Sequence, residues 1–186
     1  MKTVLVTGAG RGIGLATAKK FSSMGWHVLS LDKKFDDFFV GESIDFDLRQ
    51  LEKIPNLIDG LGPIDTLINN AAVLFCDPVD AIPEDHIKEI LDVNLLAPAR
   101  LIESVSKGMK AQGGGRIVSV GSVSAFTGHP DLWYGATKAA LLNLTKSYAS
   151  HLARYNVLVN AVAPGPTLTK MYEALPESRK DSVMSS

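Results

Sequence analysis

Cysteine is almost absent from this chain, since Cys76 is the only one among 186 residues. An intrachain disulfide is therefore excluded, which fits a reducing compartment, and we expect a cytoplasmic protein. A surplus of charge is also lacking, because 19 basic side chains are balanced by 20 acidic ones. The composition thus gives no reason to expect binding to nucleic acid or to an anionic membrane.

Long apolar runs and a leader segment are missing as well. No apolar stretch reaches the roughly 18 residues of a membrane span, and a strand-like segment starts close to Met1 without the pattern of a signal peptide. No histidine or carboxylate is spaced to form a metal site with His129, so no metal is predicted. The hydrophobic fraction of 46% and the charged fraction of 21% are those of an ordinary globular domain.

Glycine is concentrated in a turn directly after the first strand-like segment. Residues 2–7 are followed by Gly8-Ala9-Gly10-Arg11-Gly12-Ile13-Gly14, where a helical pattern begins. The spacing G-x-x-x-G-x-G differs from the fingerprint G-x-G-x-x-G, and no Lys-Ser/Thr pair of a triphosphate-binding loop follows. Glycines permit a tight turn and close backbone approach, and the N-terminus of a helix attracts anions. The turn predicts a diphosphate site; the alternative is a glycine-rich loop without a ligand.

Strand-like and helix-like segments alternate along the chain. The predicted strands cover residues 2–7, 27–31, 43–46, 65–69, 116–120 and 157–162, and the predicted helices cover 13–24, 51–61, 84–111 and 134–154. This alternation predicts an α/β fold of the Rossmann type, a doubly wound parallel sheet with helices on both faces. We expect six strands in the order 3-2-1-4-5-6. Ligands of such folds bind at the carboxyl ends of the strands.

Polar residues stand where several predicted strands end. Asp32 follows the second strand, where a carboxylate can bind ribose hydroxyls and repel the 2′-phosphate of NADP. Arg11 and Lys33 could instead neutralise such a phosphate, so NAD is favoured without excluding NADP. Asp47 and Leu48 follow the third strand and could meet an adenine, although Asp47 could also cap the next helix.

Tyr134 and Lys138 are four residues apart in a predicted helix, so their side chains share one face. A nearby ammonium lowers the pKa of a phenol from about 10 toward neutrality, which would let Tyr134 exchange protons at cellular pH. Ser122 lies just past a strand end and could reach the same pocket. Asn94 interrupts an apolar stretch of the long helix, where its amide requires a partner, either backbone or a group of the site.

Taken together, these residues resemble the classical short-chain dehydrogenase/reductase family over about residues 2 to 172. The motifs that carry the resemblance are Thr7 with the glycine turn, Asp47-Leu48, Asn69-Asn70-Ala71-Ala72, Asn94, Gly121-Ser122, Tyr134-x-x-x-Lys138, and Asn160-Ala161-Val162-Ala163-Pro164-Gly165 followed by Thr169. The resemblance implies an NAD(H)-dependent alcohol dehydrogenase or carbonyl reductase acting on a small molecule.

The resemblance also implies a role for each matching residue. Tyr134 would be the general acid/base, Lys138 would lower its pKa and hold the nicotinamide ribose, Ser122 would polarise the substrate oxygen, and Asn94 would hold a water that links Lys138 to solvent. The implied cofactor residues are Gly8, Arg11, Gly12, Ile13 and Gly14 at the diphosphate; Asp32, Lys33, Asp47, Leu48, Asn70, Ala71 and Ala72 on the adenosine side; and Tyr134, Lys138, Pro164, Gly165, Thr167 and Thr169 at the nicotinamide end.

Three features depart from the family pattern. Ala72 replaces a final glycine, and Ser122 is one residue closer to Tyr134 than in many members, so Ser124 is a second candidate for the serine role. The chain stops at Ser186, whereas members usually continue through a substrate lid, a seventh strand and a further helix. We therefore expect one dinucleotide-binding and catalytic domain over residues 1–186, without the seventh strand and with a truncated lid that begins near residue 166.

The substrate pocket is expected to draw on residues 73–75, 124–129, 133 and 166–172, with His129 as a loop residue or a substrate contact. These residues are largely apolar with some hydroxyls, which suits a hydrophobic or cyclic alcohol or carbonyl compound. The helix over residues 134–154 is apolar on more than one side. It is predicted to form, with the helix over 84–111, a homodimer or homotetramer interface, unless it is deeply buried within a monomer.

Three other functions would account for some of the same residues. An NADP(H)-dependent reductase of the same family differs only in the adenosine site. A dinucleotide-binding protein without turnover would explain the glycine turn but not the set of Asn94, Ser122, Tyr134 and Lys138. A methyltransferase that uses S-adenosylmethionine shares the layout of the fold, yet it leaves Tyr134 and Lys138 without a role.

Overall fold

The computed structural model describes residues 1–35, 38–177 and 179–180. Within these ranges six strands pair in parallel in the order β3-β2-β1-β4-β5-β6. The strands are β1 (Thr3–Thr7), β2 (His27–Asp32), β3 (Glu42–Asp45), β4 (Thr66–Asn69), β5 (Gly115–Val120) and β6 (Val157–Val162). The predicted Rossmann-type sheet and its strand order are confirmed.

The helices cover the sheet because successive side chains of each strand point to opposite faces. The helices are α1 (Gly12–Ser23), α2 (Ile54–Gly60), α3 (Glu84–Leu91), α4 (Ala97–Ala111), α5 (Leu132–Leu152) and the short α6 (Lys170–Glu173). Leu5 of β1 packs on the face that α2 and α4 cover, whereas Val4 and Val6 pack with Ala18 of α1 on the other face. The strands at the centre are therefore buried on both sides.

The helix predicted over residues 84–111 is not one α-helix. A π-helical segment, Asp92–Leu96, separates α3 from α4. Pro98 in the first turn of α4 has no N–H to donate to the carbonyl of residue 94, so an unbroken α-helical ladder is impossible there. The segment carries Asn94 into the interior, where its side chain is fully buried.

Smaller differences concern the ends of elements. A 3-10 turn, Leu51–Lys53, precedes α2, and α5 begins two residues earlier than predicted because Leu132 and Trp133 already belong to its first turn. The short α6 falls inside the predicted lid. Residue 178 and the end of that lid, residues 181–186 up to Ser186, lie outside the described residues. In the described part of the chain, no helix has the length and apolar character required to cross a membrane.

Candidate active site

The carboxyl ends of β1, β2, β4 and β5 open into one cavity of about 1150 Å³, whose wall also includes the loop after β6. Most of the predicted site residues line it. They are Gly8, Arg11, Gly12, Ile13, Asp32, Lys33, Asp47, Leu48, Asn70, Ala71, Ala72, Ser122, Tyr134, Lys138, Pro164, Gly165, Thr167 and Thr169, together with Ser124 and His129. Gly14 and Asn94 do not line the cavity, and both are buried behind its wall.

The glycine turn packs tightly against its surroundings. Gly8 and Gly12 adopt φ of 65° and 55°, in the left-handed region that favours glycine. A Cβ on Gly14 would lie 2.0 Å from the carbonyl oxygen of Gly8, so α1 can start this close to β1 only with glycine there. The start of α1 has no side-chain cap and no acidic residue in its first turn. Its N–H groups and partial positive charge therefore suit a diphosphate.

The ends of β1 and β4 are joined by side-chain hydrogen bonds. The amide group of Asn70 donates to the carbonyl oxygens of Thr7 at 2.9 Å and Gly8 at 3.2 Å. The hydroxyl of Thr7 accepts hydrogen bonds from the backbone N–H groups of Asn70 and Ala71, both at 3.0 Å. These contacts fix the floor of the cavity beneath the glycine turn, and Asn70 acts there as a link between strand ends.

The carboxylate of Asp32 is held by backbone at the end of β2. One oxygen accepts a hydrogen bond from the N–H of Gly10 at 2.9 Å, and the other accepts one from the N–H of Lys33 at 2.8 Å. This carboxylate therefore connects the glycine turn to β2 and presents its negative charge to the cavity. Each oxygen keeps a lone pair that could accept a hydrogen bond from a ribose hydroxyl.

Asp47 has a partner that the sequence did not reveal. The guanidinium of Arg49 donates to both carboxylate oxygens of Asp47 and also reaches Glu89 at 3.1 Å. Hydrogen bonding to Arg49 is the main reason why the pKa of Asp47 lies below its ordinary value. The suggestion that Asp47 caps the next helix is wrong, because Gln50 precedes the 3-10 turn and the Asp47 side chain accepts instead from the N–H of Arg49.

Tyr134 and Lys138 lie together on α5 and line the same cavity as Asp32. The ammonium of Lys138 is 5.6 Å from the centre of the Tyr134 ring and donates a hydrogen bond of 2.8 Å to the carbonyl oxygen of Val120. Burial lowers the pKa of Lys138 to about 8. Because the two side chains share one helix face, this part of the site follows directly from the spacing in the sequence.

The pKa of Tyr134 moves in the direction opposite to the one expected from the sequence. Burial raises it above its ordinary value, hydrogen bonding with Ser122 acts in the lowering direction, and the negative charge of Asp131 adds to the increase. Lys138 is not among the groups that shift it. The phenol is therefore protonated at neutral pH in this structure, ready to donate a proton.

The two candidate serines occupy different environments. Ser122 is the residue before a 3-10 turn, Val123–Ala125, and its hydroxyl accepts a hydrogen bond from the N–H of Ser124 at 3.2 Å. The hydroxyl of Ser124 is buried and has no hydrogen-bond partner among the described residues. Since the pKa of Tyr134 responds to hydrogen bonding with Ser122, Ser122 is the serine next to the phenol.

Asn94 bonds to the backbone of a neighbouring segment. Its amide oxygen accepts from the N–H of Val73 at 2.8 Å, and its amide nitrogen donates to the carbonyl of Val73 at 2.9 Å. The same nitrogen is 3.5 Å from the hydroxyl of Thr137, the residue before Lys138. Asn94 therefore fixes the segment after β4 against the helix that carries Lys138.

The loop after β6 contacts both halves of the cavity. The carbonyl oxygen of Pro164 accepts a hydrogen bond from the N–H of Val123 at 3.1 Å, next to Ser122. Further along, Thr169 lies against the glycine turn, since a Cβ on Gly12 would be 3.1 Å from the Thr169 methyl group. This loop thus bridges the predicted nicotinamide and diphosphate ends, as a lid would.

Two charged residues beside Tyr134 were not identified from the sequence. Asp131 and Arg179 line the cavity and form an ion pair, and the Asp131 side chain is only 4% exposed. The ring of His129 lies 5.4 Å from that of Tyr134, and its Nδ1 accepts a hydrogen bond from the N–H of Asp131 at 3.1 Å. An aspartate before a helix indicates only an N-cap, so no signal pointed to a role for Asp131 in the pocket.

Comparison with known proteins shows clear similarity along most of the chain. The sequence model of the short chain dehydrogenase family matches residues 2–180. A 3alpha-hydroxysteroid dehydrogenase of Mediterraneibacter gnavus is 34% identical, with 95% of this chain and 78% of the relative covered. A solved 4-hydroxyisoleucine dehydrogenase complexed with NADH is 34% identical with a TM-score of 0.87, covering 91% of this chain and 78% of that one.

A second solved structure carries the other nicotinamide cofactor. The gluconate 5-dehydrogenase of Burkholderia cenocepacia, in complex with NADP and tartrate, is 31% identical with a TM-score of 0.86. The match covers 94% of this chain and 74% of that one. Both nicotinamide dinucleotides thus occur among proteins that are similar to this chain.

Proposed function

This chain belongs to the short-chain dehydrogenase family, and on that basis we propose that it transfers a hydride between NAD(H) and the alcohol or carbonyl carbon of a small substrate. The observation that carries the proposal is the placement of Tyr134, Lys138 and Ser122 in the same cavity as the glycine turn. A protein that only binds a dinucleotide has no need of a proton donor there. We further propose that residues 1–186 contain one catalytic domain, with a lid that begins near residue 166.

Proton transfer is assigned to Tyr134. A bound nicotinamide supplies or accepts the hydride, and Tyr134 donates a proton to the substrate oxygen in reduction or removes it in oxidation. Ser122 orients that oxygen toward the phenol. Lys138 lies 5.6 Å from the Tyr134 ring, so its ammonium stabilises the phenolate that Tyr134 becomes after it has donated its proton.

Asn94 is assigned a positioning role. Both polar atoms of its amide form hydrogen bonds with the backbone of Val73. These bonds hold the wall of the cavity close to α5. The water link between Lys138 and solvent that the resemblance implies for Asn94 remains a prediction. Such a water could donate to the amide oxygen of Asn94, which has capacity for one further hydrogen bond.

Different residues of the cavity are assigned to the diphosphate and to the adenosine part of the cofactor. The start of α1 would hold the diphosphate together with Gly8, Gly12 and Ile13. Asp32 supports a preference for NAD, because its carboxylate would repel a 2′-phosphate. Arg11 and Lys33 are exposed cations at the cavity, and they favour NADP(H) as the second candidate.

A second copy of the chain is the proposed partner, through the helical region over residues 84–111 and through α5. Leu132 at the start of α5 is 53% exposed, and Leu142 and Leu144 remain half-buried along the same helix. Such apolar surface on a long helix favours a homodimer or homotetramer. Light scattering coupled to gel filtration should give at least twice the chain mass of 19.9 kDa, and a monomer would contradict the proposal.

The test of the function is the variant Tyr134→Phe, which removes the proton donor and keeps the ring. Oxidation of a panel of secondary alcohols is followed by NADH absorbance, and turnover should fall at least about 100-fold. NADH binding, followed by its fluorescence, should remain within about threefold of wild type. The matched control is Tyr155→Phe, since Tyr155 lies outside the cavity. Unchanged turnover of Tyr134→Phe would contradict the mechanism.

A further inference from the structure

Only one oxygen of the buried Asp131 carboxylate, which lies beside Tyr134, has a partner among the described residues. Asp131 is the N-cap residue of α5, yet its side chain accepts no capping hydrogen bond. One oxygen pairs with Arg179 and lies 3.6 Å from Nδ1 of His129. The other oxygen is buried without a partner among the described residues. A buried acceptor left unpaired costs free energy. Because Asp131 lines the cavity, a ligand that enters the cavity is the candidate donor.

Ser124, a second residue that lines the cavity, also carries a buried polar group without a partner among the described residues. The hydroxyl of Ser124 has no partner in the described part of the chain, and the residue is only 4% exposed. Ser124 and His129 converge on the first turn of α5, since a Cβ on Gly135 would be 3.0 Å from the Cβ of His129 and 3.4 Å from the carbonyl oxygen of Ser124. Two buried polar groups without partners therefore flank the start of the helix that carries Tyr134.

We propose that Asp131 is a specificity-determining residue, which accepts a hydrogen bond from a second hydroxyl of the substrate next to the carbon that reacts. The substrate class is then a vicinal diol, a polyol or an α-hydroxy ketone. The proposal rests on the proposed function, and it differs from the largely apolar substrate that the sequence favoured. The Asp131 charge also contributes to the raised pKa of Tyr134, which places this carboxylate within electrostatic reach of the phenol.

The charges around Asp131 favour a hydroxyl over a cationic donor. The guanidinium of Arg179 already balances the carboxylate, so an ammonium group of a substrate would meet a neutral pair. A hydroxyl needs only the free lone pairs of the carboxylate oxygen. The hydroxyl of Ser124 can both donate and accept, which suits a neighbouring hydroxyl of the same substrate.

The experiment compares matched alcohols that differ by one hydroxyl: cyclohexanol with 1,2-cyclohexanediol, and 2-butanol with 2,3-butanediol. NADH formation gives kcat/KM for each. Wild type should prefer the diol by about tenfold or more, as expected for a hydrogen bond to a charged group. In Asp131→Asn the amide oxygen can keep the bond to Arg179, which turns the amide nitrogen toward the cavity and replaces an acceptor by a donor. The preference should then fall to about threefold or less, mainly through KM.

Two further variants keep the experiment decisive. Ser124→Ala should also reduce the diol preference, by about threefold or more, even if Asp131→Asn folds poorly. Glu42→Gln, which neutralises an exposed carboxylate beside His27, should keep the wild-type preference. NADH fluorescence titration reports whether each variant is folded.

The outcomes separate the two proposals. Two results would overturn the role of Asp131 and leave the proposed oxidoreductase function standing. One is equal kcat/KM of wild type for diols and simple alcohols. The other is a diol preference that persists in both Asp131→Asn and Ser124→Ala. If folded wild type turns over none of the alcohols and ketones with NAD or NADP, the proposed function itself is overturned.

Discussion

The ammonium group of Lys138 donates its hydrogen bond to the carbonyl oxygen of Val120, at 2.8 Å and with the lysine only 2% exposed. Burial lowers the pKa of Lys138 from 10.5 to about 8. Between these values the unfolded chain binds a proton that the folded chain does not, so stability rises with pH across this window. Below pH 8 the cost of the buried charge is fully present, about 3 kcal/mol at most.

The first prediction follows from that cost. Lys138→Met should be more stable than wild type at pH 7 by about 1 to 3 kcal/mol, since the lost hydrogen bond to Val120 offsets part of the gain. The difference should shrink as the pH approaches 10. Urea unfolding at pH 7 and pH 10 measures it, with Lys146→Met as an exposed control on the same helix. A difference that does not depend on pH would exclude a buried charge as its origin.

A second prediction concerns Asn94 and Val73. Asn94→Ala leaves the N–H and the carbonyl of Val73 without the amide that satisfies both, so the free energy of unfolding should fall by about 2 to 4 kcal/mol. The control is Asn143→Ala on the exposed side of α5, which should change it by less than about 0.5 kcal/mol. Both values come from urea denaturation. Equal small effects would show that the Asn94 amide has no structural role.

The close packing at the start of α1 gives a third prediction. Gly14→Ala would place a Cβ 2.0 Å from the carbonyl oxygen of Gly8, so the turn must shift. We expect a loss of about 1 to 3 kcal/mol in stability and at least tenfold weaker NADH binding. Gly108→Ala in α4 has open space around its Cβ and should be stabilised by about 0.5 to 1 kcal/mol. Tight NADH binding by Gly14→Ala would contradict the assigned diphosphate site.

The fourth prediction tests the cofactor preference. Asp32→Ala removes the acceptor for the N–H groups of Gly10 and Lys33 and the negative charge at the end of β2. NADH affinity should fall by about tenfold or more, while NADPH affinity should fall less or rise. Fluorescence titration with each cofactor gives the ratio. Asp45→Ala is the matched control, because Asp45 is exposed and paired with Asp32 in the register of the sheet. Wild type that prefers NADPH would overturn our interpretation of Asp32.

Much of this fold could be predicted because it follows from local patterns. Apolar strands and glycine or proline boundaries mark the six strands, and the spacing of Tyr134 and Lys138 places both on one face of α5. The π-helical segment was missed, although Pro98 inside the predicted helix was a signal for an interruption. A periodic apolar pattern shows that a helix exists but not which carbonyl each N–H reaches.

The partners of charged side chains were harder to predict than the side chains themselves. Asp47 was expected to face an adenine or cap a helix, and its contact with Arg49 depends on a local turn whose shape the sequence does not specify. The pairing of Asp131 with Arg179 joins positions far apart in the chain. The pKa of Tyr134 likewise depends on how deeply the fold buries the phenol, which no spacing rule reports.

The hydroxyl of Thr7, which accepts hydrogen bonds from both Asn70 and Ala71, has a consequence for how the protein is made. Parallel strands pair only after the connecting chain has been formed, and such distant contacts slow folding. The glycine turn leaves the ribosome before residues 70 and 71, which supply its native floor. A nascent chain that does not yet include residues 70 and 71 therefore has the glycine sequence but not the finished turn. NADH should not protect such a chain from proteolysis.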